Sequence, residues 1–111
     1  MPTLEELRQL QTLLALLQAG DWHAAHDGVQ RHPGLLAAWL HGMVHWQEGD
    51  LEDAENWYER AGKRFRQRGG WDQELAQLEA AIANAIANAI ATATATATAI
   101  APSSAASAAA G

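Results

Sequence analysis

Two Gly-Asp pairs that lie 29 residues apart constrain this chain more than any other feature of its sequence. Gly20 and Gly49 each follow a run with helical spacing of apolar residues, and Asp21 and Asp50 each come directly before another such run. Glycine is the usual residue just beyond a helix C-terminus, and aspartate is a good N-cap. Because helices joined by so short a turn pack as antiparallel neighbours, the sequence predicts two repeated helical hairpins.

Apolar residues spaced by three and four positions predict five helices around these turns. Thr3 and Glu6 have capping-box spacing at the start of the first helix, in which each side chain can satisfy a free backbone amide. The fourth helix is expected over residues 51–67, and the fifth from Trp71 to about residue 90. The predicted fold class is therefore all-α.

The second unit resembles a tetratricopeptide repeat. In that family's pattern, a small residue midway along the first helix precedes a Gly-Asp turn, and alanine, an aromatic residue and alanine follow on the second helix. The matching residues here are Gly42, Gly49–Asp50, Ala54, Tyr58 and Ala61. The first unit matches less well, and the repeat is shorter than the family's usual period of about 34 residues. The resemblance implies antiparallel hairpins stacked as in that family, with a concave groove that accepts a peptide.

A narrower resemblance covers His41–Gly62. This segment is similar to one in uncharacterised bacterial proteins, where a His-x3-His-x2-Glu-Gly-Asp opening precedes an Asn-Ala-x-Tyr-Trp stretch. The chain departs from that pattern at Asp53, Asn56 and Glu59. The similarity adds support for the fold, and it implies no activity.

Charge divides the chain into two parts. All seven basic and thirteen acidic residues precede residue 80, so the net charge of −6 belongs to the first part. An acidic balance argues against non-specific nucleic-acid binding. The sequence has no cysteine, which excludes disulfides and thiolate metal ligands. Its first residues lack the basic segment and apolar run of a secretory signal, so a cytoplasmic location is expected.

The low complexity of the last residues predicts a division into a helical domain, residues 1–90, and a tail, residues 91–111. From Ala91 to Ala99, alanine and threonine alternate with the period of a strand face, and Pro102–Gly111 is expected to be disordered. Such repetition is as typical of an engineered, generated or frameshifted end as of a selected one. The neutral stretch from Ala80 to Ala101 is long enough for a membrane anchor, but its asparagines and threonines disfavour that alternative.

Histidines carry the strongest candidate chemistry. His41 and His45 are at positions i and i+4 of the third predicted helix, so both imidazoles project from one face and can chelate zinc. His26 or Glu48 could supply a third ligand. The alternative is that these histidines fill space between paired helices. Gly42 stands where the glutamate of a zinc-protease HEXXH motif would be, and serine occurs only in the tail, so no enzyme is expected.

The predicted binding surface is aromatic. Trp39, Met43 and Trp46 are at positions i, i+4 and i+7, and hence on one face of the third helix. By analogy with tetratricopeptide repeats they would line the peptide groove, although in so small a domain they could equally be core. The function expected from the sequence is a non-catalytic interaction or scaffold module without a cofactor, which binds a protein, a peptide or a second copy. The alternative is a zinc-binding protein, or an enzyme, that uses His41 and His45.

Overall fold

The computed structural model describes the backbone of residues 1–100 and the side chains of residues 1–95. These residues contain no strand, so the predicted all-α class is confirmed. Within them lie five α-helices and one 3₁₀ turn: α1 (Leu4–Gln18), α2 (Trp22–Val29), α3 (Leu35–Glu48), α4 (Leu51–Arg60), the turn Phe65–Gln67, and α5 (Trp71–Ile100). The predicted disorder of Pro102–Gly111 lies outside the described residues.

The helix ends carry the predicted caps. Thr3 and Glu6 form a complete capping box, with N···O distances of 3.1 and 3.2 Å. Asp21 and Asp50 accept hydrogen bonds from the backbone three residues later and so begin α2 and α4. Gly49 has a φ of +93°, a left-handed conformation that strains other residues, and it ends α3. Each Gly-Asp pair therefore lies where one helix ends and the next begins, as the sequence predicts.

The prediction of a fourth helix over residues 51–67 is wrong. Helix α4 ends at Arg60, because Gly62 adopts a left-handed φ of +75°. The Lys63 amide then donates to the Tyr58 carbonyl at 2.9 Å, and the Gly62 amide donates to Glu59 at 3.0 Å, which closes a Schellman motif. The predicted range of 51–67 therefore treats Gly62, which ends this helix, as an interior residue.

The expected end of the fifth helix at about residue 90 is also wrong. Helix α5 runs without a break from Trp71 to Ile100. The alternating residues cannot form a stable strand without a partner strand, whereas alanine is the best helix former. The division into residues 1–90 and 91–111 stays a prediction, but no helix end marks it.

The helices pack as two hairpins and a covering helix. Helix α1 contacts α2, α3 contacts α4, and α2 contacts α3 where the hairpins meet. Helix α5 contacts both α1 and α3, and it buries Leu78, Ile82 and Ile86 in the common core. The fifth helix therefore lies against the first helix of each hairpin, on the side where the repeat resemblance places a groove.

Helix α5 is long and apolar enough to cross a membrane when only length and composition are considered. Residues Trp71–Ala95 have a mean hydropathy of 1.2, with 17% of the tested window buried. One such helix is weak evidence for a membrane protein, since core helices pass the same test. In this fold the buried isoleucines of α5 contribute to the domain core.

Candidate metal centre

Three of the five histidines meet at the junction of the two hairpins. His26 comes from α2, and His41 and His45 come from α3. One ring nitrogen from each lies within 4.8 Å of the others. The ring centroids are 4.9 Å apart for His26 and His41, 5.1 Å for His26 and His45, and 5.0 Å for His41 and His45. The three histidines named from the sequence as candidate ligands thus lie in one cluster, which does not include Glu48.

Two levels of structure produce this cluster. Helical periodicity places His41 and His45 one turn apart on the same face of α3. The packing of α2 against α3 then brings in His26, which is 15 residues earlier than His41 in the sequence. His23 lies outside the cluster, on an exposed part of α2, where its Nδ1 is 3.8 Å from the Asp27 carboxylate.

The ring of His41 is held between aromatic neighbours. Its centroid lies 3.7 Å from the Trp57 ring centroid at an interplanar angle of 11°, and Arg60 Cζ lies 4.5 Å from the centroid of the same Trp57 ring. His41 is only 5% exposed. Its pKa is lowered from 6.5 to about 4, first by burial and then by the nearby His45, His26 and Arg60. His41 is therefore neutral at physiological pH, which is the form that binds metals.

His45 has a defined partner of its own. Its Nδ1 lies 2.6 Å from Oε1 of Glu48, three residues later on α3, and both side chains are largely shielded from solvent. A carboxylate oxygen accepts hydrogen bonds, so Nδ1 is the donor in this contact, and in the neutral ring Nε2 is the nitrogen left to bind a metal. A carboxylate that holds a histidine in this way fixes the orientation of the ring and strengthens it as a ligand.

A second group of potential ligands shares His45. It contains Asp50 and Asp53, whose carboxylates lie within 4.8 Å of that histidine. Asp50 accepts a hydrogen bond from the backbone of Asp53 as the N-cap of α4, and acidic residues at a helix start are favoured by the helix dipole. This group is consequently explained by helix capping.

The structure does not present the predicted aromatic face as an open surface. Met43 is fully buried, Trp39 is 7% exposed, and Trp46 packs with its edge against Phe65 and Trp71. The physical reason is that the residues after α4 and the first residue of α5 cover this face: Lys63 lies over Trp39, and Phe65 and Trp71 pack against Trp46. No local pattern in the sequence predicts these long-range contacts.

Two of the basic residues after α4, Lys63 and Arg68, contact aromatic rings within the domain. Lys63 Nζ lies 3.9 Å from the Trp39 ring centroid, and Arg68 lies over both Trp46 and Phe65. Such cation–π contacts stabilise aromatic rings at the edge of a core. At least these two cations contribute to packing.

The sequence analysis missed Trp57 as a residue of the histidine cluster. Its ring stacks on His41. The signal was available: the pairing of Gly42 with Tyr58 fixes how α4 lies on α3, and Trp57 is the residue before Tyr58. Because α4 packs on α3, the indole of Trp57 lies near His41.

The fold and the cluster together define a small all-α domain with a candidate three-histidine metal centre. No protein-family model matches the chain, and neither a curated protein nor a solved structure shows significant similarity to it. The resemblance to tetratricopeptide repeats therefore stays a prediction, and the candidate function follows from the chain's own geometry.

Proposed function

We propose that this chain is a non-catalytic helical domain that binds one divalent transition-metal ion, of the kind represented by Zn²⁺, through His26, His41 and His45. The observation that carries the proposal is the convergence of three imidazole nitrogens within 4.8 Å of one another. Imidazole suits zinc, copper and nickel, whereas calcium and magnesium prefer oxygen ligands.

Three further features support metal binding. The lowered pKa of His41 keeps that ring neutral, so the ion does not compete with a proton at neutral pH. The hydrogen bond to Glu48 orients His45. The ligands come from both hairpins, so a bound ion would link α2 to α3 and add its binding free energy to the stability of the folded state.

The competing interpretation is that the three rings only fill space between the hairpins. Stacked and edge-on contacts between His41, Trp57 and His26 are compatible with that role. The two interpretations differ in what happens when Zn²⁺ is added, because a packing cluster without affinity for the ion gains no stability from it.

Calorimetric titration with Zn²⁺ and a substitution pair distinguish them. His26→Gln removes the most accessible ligand of the cluster, and His23→Gln is the matched control on the same helix, because His23 has an exposed side chain outside the cluster. We expect one ion per chain, and His26→Gln should weaken binding by at least roughly tenfold, the loss seen even when only a partner of a metal ligand is removed. Equal Zn²⁺ affinity in the two variants, or no binding to the wild type, would refute the proposal.

A second candidate is self-association through α5, which keeps the interaction function expected from the sequence. Ile82 and Ile86 are buried, and Ile90, four residues further along the same ridge, is 42% exposed. Helix α5 has 30 residues, and the described body measures 64 × 26 × 22 Å, so the helix reaches past the packed hairpins. The continuing apolar ridge and the absence of charge after residue 79 favour another α5 as its partner.

A further inference from the structure

The histidine cluster supplies three ligands and no fourth one. Among the residues that the structure describes, the group formed by His26, His41 and His45 contains no carboxylate. Zinc bound by protein side chains is almost always four-coordinate, and sites with only three protein ligands complete the set with water or another small molecule. The identity of the fourth ligand therefore depends on what the nearby carboxylates are doing.

Glu48 is the nearest candidate, and His45 already engages it. Its Oε1 accepts the Nδ1 proton of His45 at 2.6 Å. That hydrogen bond places the carboxylate on the side of the ring opposite Nε2, the nitrogen that is left to bind the ion. Glu48 is thus a positioning residue behind His45.

Asp50 and Asp53 are held by the start of α4. The Asp50 carboxylate accepts the Asp53 amide at 3.2 Å, and the Asp53 carboxylate accepts from the side chain of Asn56 at 3.4 Å. Both aspartates form a group with His45 that includes neither His26 nor His41. Their capping contacts keep them beside the cluster.

Charge and access favour a small anion as the fourth ligand. Three neutral imidazoles leave a divalent ion with its full positive charge, in a site where His41 and His45 are 5% and 8% exposed. His26 is half-buried, so the approach from solvent is on the His26 side of the cluster. Attraction between the ion and an anion is stronger in such a shielded site than in bulk water.

On the basis of the proposed metal function, we infer that the ion held by these histidines keeps one coordination position for a ligand from solution, and that a small anion binds there. Glu48 orients His45 and does not occupy that position. The inference names a ligand class for the site, and it assigns no reaction.

Cobalt substitution tests the inference in the full chain, because the visible absorption of Co²⁺ changes with the set of atoms bound to it. The Co²⁺-loaded protein is titrated with sodium azide, with sodium nitrate as the control for ionic strength. We expect a saturable change in the visible bands with azide and none with nitrate. A Co²⁺ spectrum that azide leaves unchanged would overturn this inference and leave the metal function standing, whereas the absence of any protein-dependent Co²⁺ spectrum would overturn both.

Glu48→Gln separates a positioning role from direct ligation. If Glu48 positions His45, the variant should bind Co²⁺ roughly 10–100-fold more weakly and keep its azide response. If Glu48 is itself the fourth ligand, the azide response should be small in the wild type and appear in the variant, which overturns the inference. Glu52→Gln is the matched control, since Glu52 is an exposed carboxylate at the start of α4 and should change neither measurement.

Discussion

Gly42 allows the closest approach between α3 and α4. A Cβ atom added there would lie 2.5 Å from Cδ1 and 3.0 Å from Cε1 of the Tyr58 ring, and 3.2 Å from the backbone oxygen of Ala54. Tyr58 is 1% exposed, and its hydroxyl donates a 2.7 Å hydrogen bond to the buried carboxylate of Glu74 on α5. The ring is fixed at both ends and cannot move aside, so Gly42→Ala should destabilise the domain.

The size of the effect is a difference between two terms. Overpacking of a well-packed core costs about 1–3 kcal/mol, and the pinned ring and the backbone contact place this site near the upper end. Replacing glycine by alanine inside a helix returns about 1 kcal/mol. The net loss is then about 1–2 kcal/mol, which corresponds to a fall in Tm of roughly 4–16 °C for a domain of this size.

Gly28→Ala is the matched control, because it also adds a methyl group inside a helix at a close contact. The added Cβ would meet the terminal methyl groups of Leu13, a flexible side chain that can rotate away. We expect its free energy of unfolding to stay within about 1 kcal/mol of the wild type. Both variants are measured by urea and thermal denaturation with a chelator present. Gly42→Ala as stable as the wild type, or no less stable than Gly28→Ala, would refute the packing argument.

Two other predictions concern His41 and the ridge of α5. The folded-state pKa of His41, about 4, lies below its unfolded value of 6.5, so its contribution to stability is full above pH 6.5 and is lost as the pH falls towards 4. Between pH 6.5 and 4, the free energy of unfolding of the metal-free wild type should fall by about 2–3 kcal/mol more than that of His41→Gln, as measured by urea denaturation. Equal falls in the two proteins would contradict the lowered pKa of His41. Sedimentation velocity should show association of the wild type that Ile90→Lys abolishes and the exposed control Asn88→Lys retains. A monomeric wild type would dispose of the second candidate function.

Local signals predicted the helices well because capping is a local interaction. The capping box at Thr3 and the two Gly-Asp turns depend on residues at most a few positions apart. The two wrong predictions concern the C-terminal ends of α4 and α5, which local residues also decide. Gly62 ends α4 through its left-handed φ, and the two-residue alternation after Ala91 does not end α5, because alanine is the best helix former.

Long-range packing decided what periodicity left open. The face with Trp39, Met43 and Trp46 is consistent in sequence with either a groove or a core, and the packing of Phe65 and Trp71 against it makes it part of the core. The histidines show the opposite outcome. Spacing alone placed His41 beside His45, but only the contact between α2 and α3 adds His26. The pattern of a single helix predicts neither the packing on the aromatic face of α3 nor the contact between α2 and α3, so only the three-dimensional structure shows them.

The position of the histidine cluster connects the candidate function to the stability of the domain. A folded unit of this size buries a modest fraction of its surface, so its free energy of unfolding is small. An ion at 100 times its Kd would add about 2.7 kcal/mol, comparable to the loss that we expect from overpacking Gly42. Because His26 lies on the first hairpin and its two partners on the second, that free energy would act where the hairpins meet. Metal occupancy would then raise the free energy of unfolding of the whole domain through the contact between α2 and α3.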